Sequence, residues 1–287
     1  MPESLIFWEW RDFVLNLLKR GEKSSMNFEF IAGLLLTGIA GGFLAGLLGI
    51  GGGIVMMPVL RFLYHLSPPL AVGVNITAVI FTTGFGSLRH FQMKQVDRFI
   101  LYYIIPAGLA GDVAGSFLFT RFCGHKIFLD LAMGIIFSLV AARMIYEGVR
   151  NNKELINYER LKVSNLAMVK LSSGFVAGLI PGLLGIGAGA ILVPILVYIL
   201  KRPIKIAIGT SLACFFTFAI ISSLFKLCQG VVNFPMALIM GIGAAAGSYF
   251  GASLTRSINP RTLKTLFGII FFYVALKYIL ISFGISI

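Results

Sequence analysis

A fifteen-residue stretch running from Gly46 to Leu60 reads G-L-L-G-I-G-x-G-x(4)-P-x-L, and the same pattern returns 136 residues later from Gly182 to Leu196. Nine identities in one spaced pattern are far more than chance supplies when common residues match at roughly one position in ten. The chain is therefore two copies of one design. Gly73, Gly111 and Gly115 match Gly209, Gly247 and Gly251 at the same offset, and after a slip of two residues Gly134-Ile135-Ile136-Phe137 matches Gly268-Ile269-Ile270-Phe271. The duplication covers whole halves.

The material between these landmarks is apolar. Of 287 residues, 58% are hydrophobic and only 12% charged, and the mean hydropathy is +0.93. Such a chain is an all-α polytopic membrane protein, its lipid-facing surface taking the place of a charged one. The net charge of +13 does not point to nucleic acid, because the Lys and Arg residues sit at helix ends and in short loops, where topology and lipid headgroups account for them. Cys123, Cys214 and Cys228 are isolated, so neither a disulfide framework nor a metal-ligand spacing is present. No cofactor is implied.

Ten hydrophobic segments are expected. They are Phe28–Leu48, Gly52–Tyr64, Pro69–Leu88, Phe99–Phe122 and Lys126–Gly148 in one half, and Leu166–Leu184, Ala188–Leu200, Ile204–Leu227, Phe234–Thr255 and Pro260–Phe283 in the other. The organisation is an N-terminal arm (1–27), a first transmembrane repeat (28–149), a hydrophilic linker (150–165) and a second repeat (166–287). The arm has acidic Glu3, Glu9 and Asp12 where a signal peptide carries basic residues, and Trp8 and Trp10 suit the headgroup zone. It reads as an interfacial amphipathic helix.

Five crossings per half, an odd number, would invert the second half relative to the first. An outside N-terminus then places Arg89, Lys94 and Arg98, the linker, Lys201, Arg202 and Lys205, and Arg256, Arg261 and Lys264 in the cytoplasm, as the positive-inside rule favours. The rival is that each glycine break merges its flanking segments into one crossing. That gives four crossings per half and parallel repeats, and leaves the Lys201 and Arg256 clusters outside.

The second segment of each half holds about 13 residues, roughly 20 Å of helix against about 30 Å of hydrocarbon. It should be a broken or re-entrant helix. Gly49, Gly51, Gly52 and Gly53, with Gly185, Gly187 and Gly189, precede these short helices. They permit a tight reversal that leaves N–H groups without intrahelical partners. Such a terminus attracts anions, and two of them at a repeat interface are where a transporter places its substrate. The alternative is that the glycines only allow close helix packing. Pro58 and Pro194 are expected to kink or end the short helices.

Asn75, Thr77, Thr210 and Ser211 are polar positions in otherwise apolar segments. They are candidates to line the substrate site, unless the hydroxyls bond their own helix backbone. Asp112 is the one carboxylate near the middle of an expected span, in Gly111-Asp112-Val113-Ala114-Gly115, and its counterpart is Ser248. Ionisable groups at that depth are functional candidates. Asp112 is either a proton-coupling group or the partner of a cation such as Arg89, His90 or Lys226. His90 and Lys226, at equivalent positions, are candidate gates or else cations that snorkel to the interface.

The two Gly-Leu-Leu-Gly-Ile-Gly-x-Gly-x(4)-Pro-x-Leu blocks, with the Gly-Val-Asn and Gly-Thr-Ser steps at Gly73 and Gly209, resemble the sulfite exporter TauE/SafE family, also called the toluene sulfonate uptake permease family. The resemblance spans Phe28 to Phe283 and departs at Ala188, where the first half has Gly52, and at Pro181, where it has Ala45. It implies secondary transport of a small sulfur-containing anion (sulfite, thiosulfate or an organosulfonate) across a bacterial inner membrane. Self-association as a homo-oligomer is left open. A channel for the same anions would use the same half-helices. An intramembrane enzyme is disfavoured, since the sequence has no His-Glu-x-x-His motif and no Ser-His pair at membrane depth.

Overall fold

The computed structural model describes residues 27–149, 167–255 and 260–283. The expected interfacial arm, up to residue 26, and the expected linker lie outside the described residues. Within them the secondary structure is helical throughout: α1 (Phe28–Leu48), α2 (Gly53–Pro58, continued by a wider π-turn at Val59–Leu63), α3 (Pro68–Gln92), α4 (Arg98–Phe122) and α5 (Lys126–Val149). The second half gives α6 (Ala167–Leu184), α7 (Gly189–Pro194, with its π-turn at Ile195–Ile199), α8 (Ile204–Cys228), α9 (Phe234–Leu254) and α10 (Pro260–Ser282). Seven of these helices are long and apolar enough to cross a membrane. The protein is a multi-pass membrane protein.

The two halves match in detail as well as in outline. His65 and Lys201 both adopt positive φ, as do Lys94 and Gly230. The turn bonds Leu66 N–H to Leu60 O (3.1 Å) and Gln95 N–H to His90 O (2.9 Å) recur as Arg202 to Leu196 (2.8 Å) and Val231 to Lys226 (3.1 Å). Pro58 and Pro194 widen their helices instead of ending them: lacking an N–H, each breaks the i→i−4 ladder, and the next turn closes i→i−5, as from Tyr64 N–H to Val59 O (3.1 Å).

Each half packs chiefly on the other. The most extensive interfaces are α1 with α9, α4 with α6, and α5 with α10. Glycines make the first two possible. Gly38, Gly42 and Gly46 of α1 meet the backbone of Met240, Ala244 and Ser248, and Gly174, Gly178 and Gly182 of α6 meet that of Ile104, Gly108 and Asp112. These are small-residue seams, in which missing side chains let backbones touch. Gly46 and Gly182, the first glycine of each motif, thus serve these helix seams.

The order of contacts gives the helix directions. Gly38 faces Met240 and Gly46 faces Ser248, so α1 and α9 run the same way; Gly174 faces Ile104 and Gly182 faces Asp112, so α4 and α6 do too. By contrast Thr77 meets Ser223 while Gly86 meets Leu212, so α3 and α8 are antiparallel. Gly134 meets Ile279 and Gly268 meets Ile145, so α5 and α10 are antiparallel as well. Along α1, Gly41 meets Met56 and Gly33 meets Tyr64, so α2 doubles back beside α1. The α1–α2 hairpin begins and ends on the face bearing His65. Its counterpart α6–α7 begins and ends on the opposite face, bearing Lys201. Arg61, on the π-turn after α2, anchors the hairpin to α5 through a bidentate pair with Asp130 (Nη2 to Oδ2 2.7 Å, Nε to Oδ1 3.0 Å).

Candidate functional site

The two glycine breaks meet at the centre of the molecule. A Cβ on Gly187 would strike the carbonyl of Ile50, and one on Gly189 would strike the carbonyl of Gly49; the Gly51 and Gly187 backbones touch. Gly51 has φ +85° and Gly49 and Gly52 both have φ +74°, the left-handed region that only glycine enters without strain. In the second break Gly185 alone has positive φ, at +64°, and Ala188 is helical at φ −66°. The departure at Ala188 is a real structural asymmetry, because the second chain reversal needs fewer left-handed residues.

Asn75 and Ser211, at equivalent positions of α3 and α8, are brought to this junction and reach across it. Asn75 Nδ2 donates to Gly185 O (2.8 Å) and to Gly53 O (3.2 Å), and Ser211 Oγ donates to Gly49 O (3.2 Å). Each half thus holds the other half's break. Asn75 Oδ1 remains buried without a hydrogen-bond partner. Backbone bonding stops after Gly49 N–H to Ala45 O (2.7 Å) and resumes at Val55 N–H to Gly52 O (2.9 Å), so the N–H groups of 50–54 have no backbone acceptor. In the second half the N–H groups of 186–189 likewise have no backbone acceptor. Unpaired N–H groups facing a buried polar junction can hydrogen-bond an oxyanion.

The other polar candidates point elsewhere. Thr77 Oγ1 donates to Gly73 O (2.8 Å) in its own helix and meets Ser223 Oγ (2.8 Å), tying α3 to α8. Thr210 Oγ1 accepts from Asp97 N–H (2.9 Å), fixing α8 to the start of α4. A cavity of about 470 Å³ lies to one side between α3 and Phe216, lined by apolar residues such as Ile80, Phe81 and Leu88 and by no residue of either break.

His90 and Lys226 are fully buried, so neither snorkels. Both turn inward onto the first glycine of a motif: His90 Nε2 lies 3.0 Å from Gly46 O, and Lys226 Nζ donates to Gly182 O at 2.7 Å. Those carbonyls belong to the last turn of α1 and of α6, where the helix dipole is negative and a polar hydrogen is welcome. His90 also bonds Gln95 through Nδ1 (2.8 Å), while Lys226 sits 3.5 Å from the Phe119 ring centre, a cation–π contact. Sequence reasoning missed this capping role, although the shared 44-residue spacing between each group and its glycine was a usable signal.

Asp112 is fully buried, and neither carboxylate oxygen makes a hydrogen bond. Ser222 and the Lys226 cation are the polar groups that act on it. Removing one member of a buried opposite-charge couple is more harmful than removing both. Lys226→Met is therefore expected to lower the thermal midpoint more than the double variant Asp112→Asn/Lys226→Met does, as differential scanning fluorimetry of purified protein would measure.

The sequence profile of the sulfite exporter TauE/SafE family matches residues 34–278 of the chain. The chain belongs to the TauE/SafE family. This TauE/SafE member is 28% identical over 263 residues to "Probable membrane transporter protein YunE" of Bacillus subtilis, covering 86% of the chain and 96% of the relative. It is 27% identical over 259 residues to "Probable membrane transporter protein MJ0441" of Methanocaldococcus jannaschii, covering 84% and 93%. A "Probable membrane transporter protein" of Haemophilus influenzae is 29% identical over 281 residues, covering 88% and 99%. No solved structure matches the TauE/SafE chain. The family and the relatives' names make the protein a membrane transporter and not an enzyme.

Proposed function

We propose that the protein is a secondary transporter of a small sulfur-containing anion (sulfite, thiosulfate or an organosulfonate) in a bacterial inner membrane. The anion is held between the two glycine breaks. The observation that carries this reading is the pair of unpaired N–H runs, residues 50–54 and their counterparts after Gly185, meeting at one buried junction that Asn75 and Ser211 bridge. A sulfur oxyanion supplies the charge and acceptor oxygens that such termini satisfy.

The halves are read as inverted repeats. Parallel α1/α9 and α4/α6 with antiparallel α3/α8 and α5/α10 are the directions that five alternating segments per half require. Four crossings per half would make α3 parallel to α8. The basic loops gather on the Lys201 face, which is therefore taken as cytoplasmic. Alternating access follows if one half rocks against the other about the touching breaks, with His90 and Lys226 at the two gates and Asp112 as the proton-coupling group.

In proteoliposomes, flux of labelled sulfite and thiosulfate should follow a pH gradient in the wild type. Asp112→Asn should abolish that dependence while leaving substrate-induced thermal stabilisation intact. Flux indifferent to every imposed counter-gradient would replace the transporter by a channel.

A further inference from the structure

We propose that, with the two halves arranged as in this structure, Asp112 exchanges protons with one side of the membrane only, the His65 face, through a polar seam between α4 and α8 built from Ser116, Thr120 and Gln229. The inference rests on the reading of Asp112 as a proton carrier and adds the route and its sidedness.

Asp112, Ser116 and Thr120 recur every fourth residue and share one face of α4; Ser222, Lys226 and Gln229 share the facing side of α8. Their burial falls along the seam. Asp112, Ser116, Ser222 and Lys226 are buried, Gln229 is half-buried and Thr120 is exposed at the end of α4. Gln229 closes the outer end, its Nε2 donating to Thr120 Oγ1 (2.6 Å) and Ser116 O (3.2 Å). Four acceptors along this line make no hydrogen bond: both Asp112 oxygens, Ser116 Oγ and Gln229 Oε1. Buried acceptors in native proteins are normally paired, and a file of unpaired ones leading from a carboxylate to the surface is a place for protons and bridging water. Successive members stand about 6 Å apart, a gap that one water spans. A proton enters at Thr120 and Gln229, passes the Ser116 hydroxyl, and converts the Asp112 carboxylate to the acid; release to the Lys201 side waits for the other arrangement of the two halves.

The seam has no repeat-related twin beside Ser248, the counterpart of Asp112. At the repeat-related positions stand Ala252 for Ser116, Gly86 for Ser222 and Met93 for Gln229. The charged group facing Asp112 from α8 is Lys226. The facing stretch of α6 brings none, since its one charged residue, Lys170, lies against Phe99 and Tyr103 at the other end.

The test is labelling by dicyclohexylcarbodiimide, which reacts with protonated carboxyls in apolar surroundings, read at Asp112 by peptide mass spectrometry. Full-length protein in proteoliposomes is used, with the pH set independently on each side. Orientation is scored by the reach of an impermeant maleimide to exposed Cys228 on the His65 face. Raising the pH on the His65 side should reduce Asp112 labelling by up to about tenfold per unit, the limit for one titrating group. Raising it on the Lys201 side should not. Ser116→Ala and Thr120→Val should remove the response within the labelling time, and Thr120→Ser should restore it. Labelling that follows the Lys201 side, follows both sides equally, or ignores both overturns the seam. Sulfite flux that proves independent of protons, with sided labelling intact, would instead overturn the coupling role of Asp112.

Discussion

Gly187→Ala will abolish transport and lower the thermal midpoint of the purified protein, whereas Gly124→Ala will change neither. The added methyl at Gly187 would meet the Ile50 carbonyl and approach the Gly51 Cα within 3.3 Å. Both are backbone atoms of the opposite break, so no side chain can turn aside to make room. Overpacking of this kind typically costs about 1–3 kcal/mol and can exceed that where the neighbours are rigid. The transport loss should be larger than the stability loss implies, because the touching breaks are the proposed pivot and substrate seat at once. Gly124 has open space around its would-be Cβ, so the same chemical change there controls for generic effects. Fluorimetric unfolding and proteoliposome flux on the two variants decide the matter; a Gly187→Ala protein with wild-type flux would remove the breaks from the mechanism.

Asn75→Ala is the second large effect, and it should exceed Ser211→Ala. Asn75 supplies two donors that hold Gly185 O and Gly53 O, whereas Ser211 supplies one, to Gly49 O. Truncating Asn75 strips the donor from Gly185 O and truncating Ser211 strips it from Gly49 O, at about 1–3 kcal/mol for each buried group left unpaired; Gly53 O loses a second donor but stays within the α2 helix. Asn75→Ala should therefore destabilise more than Ser211→Ala, by the loss of its second bond, and weaken sulfite or thiosulfate binding, read by ligand-induced thermal shift. Asn75→Ser, which keeps one donor, should fall between them. Equal effects of the two alanine variants would mean that the second Asn75 bond contributes nothing.

Much of this architecture was legible in the chain. The 136-residue offset gave the two halves, and apolar runs between charged loops gave ten segments whose ends agree with the helices to within a few residues. α3, for example, begins one residue before its expected start and ends four residues beyond its expected end. The reason is that helix existence in a membrane depends on local facts: backbone groups in hydrocarbon must pair within their own segment. The paired positions Asn75 and Ser211 were visible for the same reason, as polar residues with no local business in apolar helices.

What pairs with what was not visible. Thr77 and Thr210 share the candidate signal of Asn75, yet Thr77 bonds Gly73 O and Ser223 and Thr210 bonds the Asp97 N–H. A helix places neighbouring residues about 100° apart, and only the packed partner fixes which direction faces the breaks. His90 and Lys226 look like interfacial cations by their place near helix ends, and packing turned them inward to Gly46 and Gly182.

The sequence by itself determined that the chain is a duplicated, multi-pass helical membrane protein with a glycine break in each half, because composition, periodicity and repetition are properties of the chain alone. Only the tertiary structure decided that each half packs mainly on the other, that the two breaks touch backbone to backbone, and that a polar seam beside Asp112 runs to one face. These are relations between residues more than a hundred positions apart, and glycine seams settle them through contacts that leave no mark on the sequence beyond the glycines themselves.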